Sequence, residues 1–126
     1  MTIFGYMAIL QFSQIAEVET MDERARFFLE EKAKVLKALG HPTRLFIAEE
    51  LAGGERCVCQ LVEKIGADFS TVSRHLSILK QAGIVEDDKR GLQVFYRLRV
   101  PCVLRFMDCV EAVIESRVKE HVAMLA

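Results

Sequence analysis

Two short helical patterns separated by a sharp turn constrain this chain more than any other feature. They occupy residues 57–82, CVCQLVEKIGADFSTVSRHLSILKQA. Leu61, Val62 and Ile65 lie at i, i+1 and i+4, and Val72, Leu76 and Leu79 at i, i+4 and i+7, a period that fits helices and not strands. Gly66 sits between them, where a helix must stop and the chain must turn. Asp68 is placed to cap the second helix by accepting from its unpaired backbone N–H groups. The polar face of that helix carries Ser70, Thr71, Ser73, Arg74 and His75. Short hydroxyl donors beside an Arg and a His suit phosphates and base edges in a major groove. The unit reads as a helix-turn-helix with a recognition helix.

What surrounds this unit extends it. A helix is expected over about 22–39, with Phe28, Leu29, Val35, Leu36 and Leu39 as apolar points, ended by Gly40-His41-Pro42. His41 reads as a surface or capping group rather than a ligand. A second helix over about 42–52 buries Leu45, Ala48 and Leu51 before Gly53-Gly54 stops it. Gly83 closes the recognition helix. The run IVEDDKRGLQVFYRL then reads as a hairpin that turns near Arg90-Gly91, with Val94, Tyr96 and Leu98 alternating with Gln93, Phe95 and Arg97. Tipped by Lys89 and Arg90, it is a wing able to lie along a phosphate backbone. Pro101 opens a last helix with a broad stripe of Val103, Phe106, Met107, Val110, Val113, Ile114 and Val118. That stripe exceeds what one small domain can cover, which points to a homodimer. The expected fold is mainly α with a β-hairpin, a winged helix-turn-helix of order α-α-α-α-β-β-α dimerising through its terminal helices. Residues 21–126 form its single domain, and residues 1–20 are either an N-terminal arm or a mis-assigned start.

Net charge is −1 over 126 residues, which by itself argues against nucleic acid. The distribution argues the other way. Between residues 66 and 105 seven basic side chains face four acidic ones, and local basic surface sets phosphate attraction. No apolar run reaches the roughly 18 residues of a membrane span. The first basic residue is Arg24, so the apolar start MTIFGYMAIL lacks the positive region of a secretory signal. Four cysteines then suggest a reducing cytoplasm and metal or redox chemistry rather than a disulfide framework. Enzyme chemistry finds little support: the three His residues have no partnered nucleophile, and there is no phosphate-binding Gly loop.

The segments LKALGHPTRL, ERCVCQL, STVSRHLSILKQAGIV and GLQVFYRL together resemble the ArsR/SmtB family of metal-responsive repressors, over roughly residues 22–118. The resemblance implies a homodimeric winged helix that binds double-stranded operator DNA and leaves it when a metal or metalloid binds. It also implies that Ser70, Thr71, Ser73, Arg74 and His75 face the DNA. Cys57-Val58-Cys59 resembles the family's arsenic-sensing motif ELCVCDLC, so that trivalent arsenic or antimony would be the inducer and no cofactor is required. Cys57 also stands where a capping Ser would, with Gln60 three residues on. A cysteine at a helix N-terminus holds its thiolate readily, and soft thiolates select soft ions. Because i and i+2 do not face each other on a regular helix, one ion gripping both is expected to distort that first turn and so disturb DNA reading. The motif's third cysteine is Val62 here, which leaves Cys102, Cys109 or a small thiol as third ligand. Cys102 and Cys109 lie roughly 10.5 Å apart along one helix face, and read equally well as small buried hydrophobes. Asp108, Glu111, Glu120 and His121 lack the spacing of a zinc or nickel site, and residues 1–56 hold no cysteine for a cadmium or lead site. The alternative keeps DNA binding and makes the cysteines a thiol redox or persulfide switch, Cys57 or Cys59 bridging to Cys102 or Cys109.

Overall fold

A computed structural model describes residues 22–125; the expectations for residues 1–20 lie outside the described residues. Five helices and three strands follow in the order α1 (Glu23–Leu39), α2 (Pro42–Ala52), β1 (Arg56–Cys57), α3 (Val58–Ile65), α4 (Phe69–Gln81), β2 (Val85–Arg90), β3 (Gln93–Leu98) and α5 (Val103–Leu125). This is the winged helix-turn-helix the sequence predicts, with one addition. The two-residue strand β1 pairs antiparallel with β3, Arg56 opposite Tyr96 and Cys57 opposite Phe95, giving a sheet of order β1-β3-β2. Two residues are too short to show a strand period, so the pattern could not reveal it.

Each helix boundary has a local cause. The His41 imidazole caps α2, its Nδ1 accepting from the Thr43 N–H at 3.1 Å, with Pro42 in the first turn. Gly66 ends α3 in the left-handed region at φ 77°. A side chain with a Cβ would be strained there. Asp68 caps α4, accepting from the Thr71 N–H at 3.1 Å. Gly83, at φ 83°, closes α4 in a Schellman motif: Ile84 N–H donates to Leu79 O and Gly83 N–H to Lys80 O, both at 3.0 Å. Strands β2 and β3 pair from Val85↔Leu98 to Arg90↔Gln93, leaving Gly91 and Leu92 as a two-residue turn.

The core lies among α2, α3, α4 and the start of β2. Ile47, Leu61, Val72, Leu76, Leu79, Ile84 and Val85 are fully buried, and Ala38, Leu39, Ala48, Leu51 and Val58 complete the cluster. At roughly 25 cal/mol per Å² of apolar surface removed from water, each large side chain among them stabilises the fold by about 1.5–3 kcal/mol. The pattern correctly placed Val72, Leu76 and Leu79 but missed Ile47 as the buried centre of α2, where Leu45 is only half-buried. Within α1, Val35, Ala38 and Leu39 join the core. Phe28, Leu29 and Leu36, expected on the same face, are exposed. The part of α1 up to Lys34 belongs to a separate unit, in which Phe27 and Phe28 meet edge to face at 5.5 Å. No residue of α5 is buried. No helix among the described residues is long and apolar enough to cross a membrane.

Candidate nucleic-acid interface

Helix α4 turns one face to the core through Val72, Leu76 and Leu79, which leaves Ser70 and Arg74 exposed and Thr71 and Ser73 half-buried at the margins. Arg74 has no ion-pair partner among the described residues, so its guanidinium is free to reach a base edge. Ser70 donates its hydroxyl to Asp68 at 3.2 Å. Hydrogen bonds from Thr71, joined by that of Ser70, hold the Asp68 carboxyl below its usual range, so the cap stays ionised.

His75, expected to face the DNA, also contacts α2. Its half-buried ring packs on His41 at 4.5 Å between centroids, and its Nδ1 lies 3.1 Å from Nη1 of Arg44. Guanidinium nitrogens only donate, so Nδ1 accepts and the ring is the neutral Nε2–H tautomer. Arg44 is itself tied to the Ala38 carbonyl through Nε. Burial, followed by the positive charges of His41, Arg44 and Arg74, depresses the His75 pKa. His75 therefore joins the recognition helix to α2. That joint was not legible in the sequence, because Arg44 lies 31 residues away from His75.

The wing's cations divide in the same way. Arg90, expected at a phosphate, is held by both oxygens of Glu55 at 2.9 and 2.7 Å and by Asp88 at 2.9 Å, and it lies over the Phe95 ring at 4.5 Å. Arg97 pairs with Glu86 and Glu55, and Lys80 with Asp87. Lys89, exposed beside Arg90, pairs with nothing among the described residues, and Arg99 and Arg105 likewise remain free. The basic surplus of the segment thus resolves into Arg74, Lys89, Arg99 and Arg105 as available cations, while Arg90 fastens the wing to the loop before β1. Glu55 is the residue that sequence reasoning missed here.

Cys57 and Cys59 are joined as a disulfide, their Cα atoms 5.4 Å apart. Cys57 is the extended cap residue of α3 and the last of β1, at φ −84° and ψ 160°, and its N–H donates to Gln60 Oε1 at 2.8 Å. Only Cys59 is in the helix. One sulfur comes from a strand, the other from a first turn, and they meet across the junction. Cys57 is buried and Cys59 exposed. A cavity of about 140 Å³ adjoins them, lined also by Val58, Phe69, Leu92, Gln93 and Val94. Cys102 and Cys109 do not line it. Both are free and exposed in the single chain. No group of three His, Cys, Asp or Glu side chains able to hold a metal ion occurs among the described residues.

The chain has clear relatives. Residues 41–87 match the profile of the bacterial regulatory proteins of the arsR family. Over 83 residues it is 41% identical to the uncharacterized HTH-type transcriptional regulator MJ1325 of Methanocaldococcus jannaschii, a match covering 63% of this chain and 93% of that one. It is 38% identical over 93 residues to the biofilm growth-associated repressor of Agrobacterium fabrum, covering 74% and 76% respectively. Among solved structures, the homodimeric winged helix-turn-helix DNA-binding domain Mb0332 of Mycobacterium bovis superposes with a TM-score of 0.68 at 32% identity, over 81% of this chain and 94% of that one.

Proposed function

The chain belongs to the arsR family of bacterial regulatory proteins, and from that premise we propose that it is a homodimeric operator-binding repressor whose hold on DNA is set by the thiol state of Cys57 and Cys59. Its family is one of DNA-binding transcriptional repressors, not enzymes. The observation that carries the proposal is the position of the sulfur pair. Cys57 sits in the sheet opposite Phe95 of the wing strand, and Cys59 in the first turn of α3. Their shared cavity is walled by Phe69, the first residue of the recognition helix, and by Leu92, Gln93 and Val94 of the wing. Joining the sulfurs ties α3 to β1, and parting them frees that joint, so the spacing of recognition helix and wing depends on it. In this reading the dithiol binds the operator through Ser70, Thr71, Ser73, Arg74 and Lys89, and the closed pair releases it.

Two chemistries close the pair. An oxidant takes two electrons from the thiols and leaves a disulfide. Trivalent arsenic or antimony is the second, favoured by the same side-by-side sulfurs, and would link two soft thiolates directly. The donor set fits two of the three thiolates such an ion prefers, because Val62 fills the third motif position and neither Cys102 nor Cys109 reaches the cavity. A small-molecule thiol therefore completes the set.

Fluorescence anisotropy of labelled duplex from the protein's own promoter tests this. Reduced parent and Cys57→Ser/Cys59→Ser are titrated with peroxide and with arsenite, the latter with and without glutathione. The parent is expected to let go and the double variant to bind normally and stay bound. Release of the double variant at parental concentrations would show that the pair is not the control point.

A further inference from the structure

The cavity beside the cysteines is mostly apolar. Val58, Phe69, Leu92 and Val94 form its wall, with Gln93 as the polar side chain beside the two sulfurs. Phe69 is 61% exposed and Leu92 101% exposed. Large hydrophobes held in water at a helix start and at a turn, where polar residues are ordinary, mark a surface that contacts something else. An apolar cavity of roughly 150 Å³ accommodates one benzene ring, close to the 140 Å³ found here.

Resting on the reading of Cys57 and Cys59 as the control point, we propose that this cavity selects the oxidant: an organic hydroperoxide with an apolar body about the size of a benzene ring, in preference to hydrogen peroxide. The exposed Cys59 is the attacking thiol, its thiolate favoured by the N-terminus of α3. Its sulfur attacks the hydroperoxide oxygen remote from carbon, and the O–O bond breaks. The alkoxide leaves as an alcohol with the proton that Cys59 lost, and Cys59 becomes a sulfenic acid. The Cys57 sulfur then attacks the Cys59 sulfur, and hydroxide departs as water with the Cys57 proton. Two thiols and one hydroperoxide thus give one disulfide, one alcohol and one water, the sulfurs losing the two electrons that the O–O bond gains. The body of the oxidant lies against Phe69 and Leu92, so the recognition helix and the wing tip are the elements that sense it.

The test is the rate of thiol loss in the reduced full-length protein, without DNA, on mixing with cumene hydroperoxide or hydrogen peroxide. Each rate is divided by that of free N-acetylcysteine with the same oxidant. Cumene hydroperoxide is expected to be favoured by about tenfold, which at 1.4 kcal/mol per factor of ten requires burying roughly 56 Å² of apolar surface. In Phe69→Ala/Leu92→Ser, whose changes are on exposed positions, the preference is expected to fall to within about twofold while the hydrogen peroxide rate stays at the parental value. Equal normalised rates in the parent, or a preference unchanged in the variant, would overturn the proposal. The broader reading fails separately: if Cys57→Ser/Cys59→Ser is still released from DNA by either peroxide, the cysteines are not the switch. If the parent is released without preference between peroxides, only the selective cavity is lost.

Discussion

Residues 35–98 and the helix α5 place their apolar side chains in opposite ways. The first region buries thirteen hydrophobic residues, seven of them at under 2% exposure. Helix α5 is 23 residues long and buries none; of its side chains Val103 alone packs on the core. Yet Phe106, Val110, Val113, Ile114, Val118 and Val122 form a stripe on it as apolar as any in the core. The first region is a complete object whose contacts lie within one chain. The second carries an apolar face that its own chain leaves uncovered, and through it the proposed homodimer would form; the Mycobacterium bovis relative is homodimeric.

The largest expected effect follows from that contrast. Glu at Val110 or Ile114 puts a charge into the shared face while touching nothing in the winged helix. Sedimentation should show a monomer whose thermal unfolding remains cooperative. Because paired half-sites act as a tethered unit, operator affinity should fall by about 100-fold or more. A folded, operator-binding dimer from both changes would break the contrast between the two regions.

Arg74→Ala makes the reverse test, striking the compact region and sparing the dimer. A lost base contact costs on the order of 1–3 kcal/mol, so the ratio of operator to random-DNA affinity should shrink with no change in sedimentation. Parental operator affinity would mean that another face of α4 reads the DNA. The wing supplies a finer cut. Lys89→Ala should lower the slope of log affinity against log salt by about 0.9 for one phosphate. Arg90→Ala should lower it less, since Glu55, Asp88 and Phe95 already engage that guanidinium. Equal slopes would show that DNA displaces Glu55.

The same divide explains what could be read from sequence. Helices α2 to α4 and the hairpin were legible because their signals are local: Pro42 and His41 at one start, Asp68 at another, Gly66, Gly83 and Gly91 at the turns. The exposed side of α4 was also legible, being the complement of Val72, Leu76 and Leu79. What escaped depends on partners far along the chain. The partner of Arg90, Glu55, is 35 residues away, and the partner of His75, Arg44, is 31 away. Cys57 was legible as the cap of α3, but its pairing with β3 was not, because a strand of two residues carries no period. Leu92, an apolar residue in a hairpin turn, and Phe69, an aromatic between Asp68 and Ser70, were visible signals of the cavity that the pattern did not use.

The smallest expected effect concerns the joint between α4 and α2. The His75 pKa lies below its ordinary value, chiefly through burial and then through the charges of His41, Arg44 and Arg74. The folded protein therefore favours the neutral ring, and the unfolded chain takes up the proton first as pH falls. Stability from this group is complete above about 6.5, the unfolded value, and is lost as pH drops through the folded one. Protonation at Nδ1 also sets an N–H against the Arg44 donor and ends their hydrogen bond. Glu50 and Asp68, whose carboxyl pKa values are lowered by Lys64 and Thr71, lose their contributions only at more acidic pH. The interval from pH 7.5 to 5 thus separates His75 from these carboxyls. The melting temperature should fall across it by a few degrees at most, since about 1 kcal/mol corresponds to roughly 4–8 °C in a domain of this size. In His75→Gln, whose amide oxygen can accept from Arg44 without titrating, the fall should be shallower. Repeating both melts in the Ile114→Glu monomer should reproduce the difference, because the joint lies wholly within the compact region. A parental slope in His75→Gln would show that this ring is not the source of the effect, and a difference lost in the monomer would place it outside the compact region.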